Sequence, residues 1–197
     1  ACINSENTRQ VIYEIDPRTF DIVGTYKFRD ANVLAHMNTL TYNPDTNLLY
    51  TTNAMVDGHR ITTIDADTMS IGNTITIPER VFNLAYDKKT NQFMSIVPID
   101  ATMRRINYYT SQFQLVQSKD IDANYDDYNN NGAFANDGKT IFATLSTVIT
   151  VDKTGNVTKI ASFPKNLEIE DMDMRHNIMY AAVNSNHKVF IYTMLNY

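Results

Sequence analysis

The sequence predicts an all-β chain, specifically a β-propeller of about five blades, each a four-stranded antiparallel sheet. Three observations carry that expectation. Two kinds of hairpin alternate along the whole chain with a combined period of about 45 residues. Within each segment apolar side chains recur at every second position, as at Val11, Tyr13 and Ile15, which is the period of a half-buried strand. Helical periodicity is missing, since no stretch of twelve residues carries an apolar face at i, i+3 and i+4. A sandwich or a barrel also needs alternating strands. Neither requires the sequence to repeat in phase, and this one does.

The first hairpin kind is a strand, an Asp with turn residues, and a second strand. It occurs at Val11–Phe28, Ile61–Ile77, Ile106–Ile121 and Ile149–Phe163. The second kind occurs at Asn38–Asn53, Phe82–Val97, Asn131–Ser146 and Glu170–Ser185. Turn chemistry marks both, as in Asn43-Pro44-Asp45, Asp137-Gly138 and Thr154-Gly155-Asn156. In blade order, residues 1–28 supply the second, third and fourth strands of one blade. Full blades follow near 38–78, 81–121 and 131–163, and 168–193 supply the first three strands of another. The chain is expected to form a single propeller domain over residues 1–197. Its opening, Ala1-Cys2-Ile3-Asn4, reads as a processed start or as a piece of a longer protein.

Composition narrows the function. The 197 residues are 43% hydrophobic and 20% charged, which argues against disorder. A formal charge of -5, with no basic run longer than Arg104-Arg105 or Lys88-Lys89, argues against nucleic acid as a partner. No apolar run has the ~18 residues of a membrane helix, so membrane insertion is not expected. The single Cys2 argues against a disulfide framework, and the four histidines have no neighbour at ligand spacing, so no metal and no cofactor is expected. With six glycines and no nucleophile elbow, zincin or phosphate-loop motif, no catalytic residue is assigned and the chain is not expected to be an enzyme. The aromatic residues and nine methionines read as packing between blades.

The repeat register does bring one constellation forward. The position just before the innermost strand of successive blades is His36, Arg80, Asn129 and Glu168; two residues on come Asn38, Phe82, Asn131 and Glu170. In a propeller these converge at the mouth of the central channel. There imidazole, guanidinium, amide and carboxylate groups either hydrogen-bond a polyol or sugar, with Phe82 or a nearby Tyr as a stacking surface, or pair with one another, as Arg80 with Glu168 or Glu170, and plug the channel. The loop Asn124–Asn131 adds Tyr125 and Tyr128, residue types that give rigid contact area at binding surfaces. Glu168 and Glu170, two apart on one strand, are expected to share a face, which would also suit a carboxylate pair of a polysaccharide hydrolase or lyase.

The segment Ala35–Asn53 resembles a His-x-Asn…Tyr-Asn…Thr-Asn signature of one propeller family: helveticin-type bacteriocins, teichoic-acid biosynthesis protein C-like proteins, and receptor-binding or tail-fibre modules of phages that infect Gram-positive bacteria. The turn Ala85–Phe93 and the ending Leu167–Tyr197 resemble the same family, and His36, Asn38, Glu168 and Glu170 fall on its motif positions. The resemblance implies a module that binds cell-surface glycan such as wall teichoic acid. It would be extracellular or on a virion, and would form a homo-oligomer or join a virion assembly. A propeller that only docks on neighbouring chains is the structural alternative.

Overall fold

A computed structural model describes residues 2–6, 9–28, 34, 37–53, 58–123, 133–136, 140–143, 146–152, 154–164, 166–175, 178–185 and 188–195. The chain packs as two compact units, Ala1–Val81 and Phe82–Tyr197. The first unit opens with β1 (Cys2–Glu6), β2 (Arg9–Ile15) and β3 (Ile22–Phe28), a sheet in that order. Its second sheet is β4 (Thr41–Asn43), β5 (Leu48–Thr52), β6 (Arg60–Asp65) and β7 (Ile71–Thr76).

The second unit holds three sheets. They are β8 (Ala85–Asp87), β9 (Gln92–Pro98), β10 (Met103–Tyr109) and β11 (Leu115–Asp122); then β12 (Ala133–Asn136), β13 (Thr140–Ala143), β14 (Thr147–Val151) and β15 (Val157–Ser162); then β16 (Glu168–Arg175), β17 (Ile178–Ser185) and β18 (Lys188–Leu195). Within each sheet every strand pairs antiparallel with its sequence neighbours, and no helix occurs among the described residues. The first and last sheets have three strands, as the repeat predicts. In the second unit β12 lies beside both β8 and β16, so the leading strands of three successive sheets are neighbours.

Apolar side chains on facing sheet surfaces make the cores. In the first unit Ile12 and Phe28 of one sheet meet Met37, Leu49 and Ile64 of the next. In the second, Ile96, Ile106 and Ile121 meet Phe142, Ile149 and Val151. Ile141 and Val148 meet Ile169, Met172, Met179, Ala181 and Val183. Each fully buried side chain of this size contributes about 1.5–3 kcal/mol relative to exposure.

Two turn designs repeat. In the hairpin joining a sheet's first two strands, Asn43 Oδ1 accepts the Asp45 amide at 2.9 Å, and Asp87 Oδ1 accepts that of Lys89 at 2.9 Å. Both turns end on an Asn in the left-handed region, Asn47 (φ 57°) and Asn91 (φ 54°). Each Asn accepts a tyrosine hydroxyl from five residues upstream, Tyr42 or Tyr86, at 2.9 Å. The outer hairpin is built on Asp16, Asp65, Thr110 and Asp152, whose carbonyls accept the amides of Phe20, Met69, Phe113 and Gly155. Those four acceptor-turn ends have φ of 61°, 53°, 60° and 93°. Left-handed backbone favours Gly and Asn, so Phe and Met there need another reason to persist.

The outer strands also share a bulge. Register shifts fall at Glu14/Ile15, Thr62/Ile64, Tyr108/Tyr109 and Val148/Ile149, each opposite an outer strand. A bulge twists an edge and interrupts its ladder, which protects it against pairing with another chain. Beside two of these bulges Ile22, Val23, Leu115 and Val116 remain exposed.

Candidate functional site

The ten sequence-nominated residues divide three ways. His36, Tyr125, Tyr128, Asn129 and Asn131 lie outside the described residues. Asn38 and Arg80 belong to the first unit, and Phe82, Glu168 and Glu170 to the second.

In the first unit Asn38 is half-buried just ahead of β4, and its backbone amide donates to the Thr52 carbonyl at 3.2 Å. Arg80 is exposed beyond the end of β7, with its stem laid over Gly58. A Cβ on Gly58 would come within 2.8 Å of Arg80 Cγ and 2.9 Å of its Nε, and Gly58 also has a φ of 68°. The Val81 amide donates to the Gly58 carbonyl at 2.7 Å, fixing the backbone beside Arg80. Gly58 is therefore a positioning residue for the arginine, on grounds of both space and backbone conformation. Sequence reasoning did not single it out; its signal is the Asp57-Gly58 pair just before a strand.

The second unit brings Glu168 and Glu170 together. Glu168 faces Asn184 across β16 and β17, and Ile169 faces Val183. A bulge follows, so that Glu170 and Asp171 together oppose Ala182. Ala182 and Asn184 are two apart on β17 and share a face, so the bulge sets Glu168, Glu170 and Asp171 on one side of the sheet. It also resets the core phase, from Ile169 to Met172 and Met174. Phe82, ahead of β8, is half-buried.

Electrostatics single out Glu170. Crowding by surrounding protein pushes its carboxyl above the ordinary range, the charge of Glu168 pushes it further, and a hydrogen bond with the Asn184 side chain acts in the opposite sense. The group is thus a carboxyl that both donates and accepts over a wider pH range than a free glutamate, beside a carboxylate and an amide. Asn184 was missed from sequence; its only signal is its register opposite Glu168.

A buried charge elsewhere has a structural use. Arg104, 6% exposed, donates to the Asp100 carbonyl at 2.8 Å and the Met103 carbonyl at 3.0 Å, tying down the β9–β10 loop. Asp100 Oδ1 in turn accepts the amides of Thr102 and Met103 at 2.8 Å each. Among the described residues no group of three His, Cys, Asp or Glu is arranged to hold a metal ion. Among the described residues no helix is long and apolar enough to cross a membrane.

No family model matches the chain's sequence, and no curated protein matches it. Solved structures do resemble its fold. Myxococcus xanthus glutaminyl cyclase is similar with a TM-score of 0.63 at 11% identity, over 97% of this chain and 85% of that one. A Bacteroides caccae protein of unknown function gives 0.53 at 9% identity, over 97% and 70%. U3-55K gives 0.52 at 12% identity, over 92% of this chain; the chain spans 56% of its length. At such identities the likeness concerns fold alone. The chain has an all-β, propeller-like architecture of small antiparallel sheets.

Proposed function

We propose that the chain is a β-propeller of about five blades that binds cell-surface glycan, such as wall teichoic acid, on a phage tail or a secreted protein. The observation that carries this reading is the Glu168–Glu170–Asn184 group. Carboxyl and amide side chains are the groups that grip sugar hydroxyls, because each can engage neighbouring hydroxyls as donor or acceptor. Glu168 and Glu170 sit at the start of the last sheet's leading strand, on positions that the family resemblance also marks, and Asn184 lies opposite Glu168 on β17. Arg80, an exposed residue of the other unit, is a separate cation for the phosphate groups of such a polymer. A net charge of -5 makes that arginine more important for such a ligand.

The test is binding of the full chain to a glycan array and to purified Gram-positive wall polymer. Glu170→Gln and Arg80→Ala are each expected to weaken binding about tenfold, as loss of one charge-assisted hydrogen bond does. Unchanged binding in Glu170→Gln removes the Glu168–Glu170–Asn184 site, unchanged binding in Arg80→Ala removes the arginine, and no binding by the unaltered chain removes the glycan reading. A polysaccharide hydrolase or lyase is the second reading, favoured by the raised Glu170 carboxyl, which suits a general acid beside a second carboxylate. Release of shorter fragments from the wall polymer would decide for it.

A further inference from the structure

Among the described residues β3, β7, β11 and β15 each end a sheet and pair only with the strand before them. Such an edge carries a row of unpaired backbone amides and carbonyls, and charged side chains are the usual guard against pairing with another chain. β11 carries Lys119, Asp120 and Asp122, and β15 carries Lys159. β7, Ile71–Thr76, carries no charge but exposes no large apolar side chain. β3 differs from all three. It reads Ile-Val-Gly-Thr-Tyr-Lys-Phe, with its single charge near one end, and leaves Ile22 and Val23 each 60% exposed.

The residue order of β3 is complementary to itself. In an antiparallel two-fold pair of β3 strands centred on Thr25, Thr25 faces Thr25, a favourable cross-strand pair. Val23 faces Lys27, whose methylene stem lies along the exposed valine while its ammonium stays in water. Gly24 faces Tyr26. Each Tyr26 ring leans back over its own Gly24, where a Cβ would come within 2.9 Å of the hydroxyl and 3.0 Å of the ring. Two rings then flank the axis over two glycines, the cover that a strand glycine takes from a cross-strand aromatic. Like charges never meet. The same operation on β11 fails, because it sets the exposed Leu115 opposite Asp122. The β2–β3 ladder is regular from Gly24 to Phe28 and shifts only at Ile22, so the bulge limits the pairing to a short ladder over Val23–Lys27.

We propose that β3 is a self-docking edge: a second copy of this chain adds its own β3, antiparallel about Thr25, and joins two three-stranded sheets into one continuous sheet. A contact this small makes a weak and reversible dimer. The pairing is independent of the glycan reading given above. A pair carries two Glu168–Glu170–Asn184 groups and so gains avidity for a repeating polymer; that consequence alone rests on the glycan reading.

The test is sedimentation equilibrium of the full chain from micromolar to millimolar concentration. The unaltered chain is expected to pass from monomer to dimer across that range. Thr25 is exposed, and Thr25→Lys and Thr25→Glu each set like charges opposite across the axis. Each variant alone should weaken the dimer by about tenfold or more. Mixed in equal amounts, lysine faces glutamate and the dimer should return. Only a position that faces itself gives that recovery, since structural damage in one chain is not repaired by the other. Should either variant fail to fold, Val23→Lys, which opposes Lys27, is the replacement and should weaken the dimer likewise. A chain that stays monomeric throughout leaves the edge to another protein's strand or to none, and the proposal is wrong. A dimer that the variants leave intact, or a mixture that stays monomeric, overturns it as well. Wall-polymer binding that depends on Glu170 would survive each of these failures, so the two readings fail separately.

Discussion

The outer turns of the first and third sheets both end on a phenylalanine in the left-handed region, with opposite side-chain fates. Phe20 and Phe113 have φ of 61° and 60°, though Phe20 closes on a carbonyl four residues back and Phe113 on one three residues back. Phe113 is 5% exposed and stacks on Phe93, with centroids 4.5 Å apart and planes at 23°, near Tyr109 at 6.3 Å. Phe20 is 46% exposed. An L-residue in the left-handed region costs about 1–2 kcal/mol. At Phe113 burial of an aromatic ring more than offsets that cost; at Phe20 half of the ring still faces solvent. The two turns thus share a hydrogen-bonded, left-handed last residue although they differ in length, while packing decides whether that residue stabilises its sheet.

The largest way to break this comparison is Phe113→Gly. It relieves the backbone but empties the space against Phe93, and removing a buried Phe costs about 3–5 kcal/mol. A net loss of about 3 kcal/mol is expected in urea denaturation. Parity with the unaltered chain would mean that the stack contributes nothing beyond what the turn already fixes.

Next in size is the tyrosine–asparagine lock. Asn91→Ala removes the acceptor for Tyr86 and puts a Cβ residue less suited to φ 54° in the turn, for an expected loss of about 2 kcal/mol. Asn91→Gly keeps the backbone easy and should lose only the hydrogen bond, about 1 kcal/mol. The same pair at Asn47 should behave alike, since Tyr42 bonds it at the same distance. A difference between the two sites would show that the sheets do not share one turn energetics.

Much of this architecture was legible beforehand. The strand–turn periods gave all five sheets and the two three-stranded ends, because alternation and turn residues are local properties of sequence. The bulges were not legible. One extra residue in a strand looks like ordinary alternation until a partner's register exposes it, as at Glu170 opposite Ala182. Asn184 and Gly58 were hidden for the same reason, since each matters through a neighbour distant in sequence.

Phe20→Gly inverts the first prediction and is smaller. Relief of the backbone should stabilise by about 1 kcal/mol, less whatever the half-exposed ring contributes. A loss instead of a gain in the same urea experiment would show that the Phe20 ring is covered in solution, and exposure at this turn could no longer be contrasted with Phe113.

The smallest effect carries the comparison from backbone to charge. The turn carboxylates of Asp16, Asp65 and Asp152 are held below the ordinary range, chiefly by Arg18 at Asp16, by the Thr68 amide at Asp65 and by the Thr154 side chain at Asp152. A lowered acid favours the folded state when ionised, so their contribution is present above the unfolded carboxyl range and disappears as pH falls through their lowered values. Glu170 runs the other way. The fold prefers its protonated form, so its contribution is full in acid and is lost as pH rises from the ordinary glutamate value through the raised one. Glu170→Gln keeps the shape and cannot ionise. It should therefore leave acid stability alone and raise stability at neutral pH slightly, by about 0.5 kcal/mol at most for a side chain that keeps solvent contact. Urea midpoints of the two chains at pH 4 and pH 7 should coincide at the first and separate at the second. Separation at pH 4 instead would mean that the Asn184 hydrogen bond, rather than crowding and Glu168, governs this carboxyl.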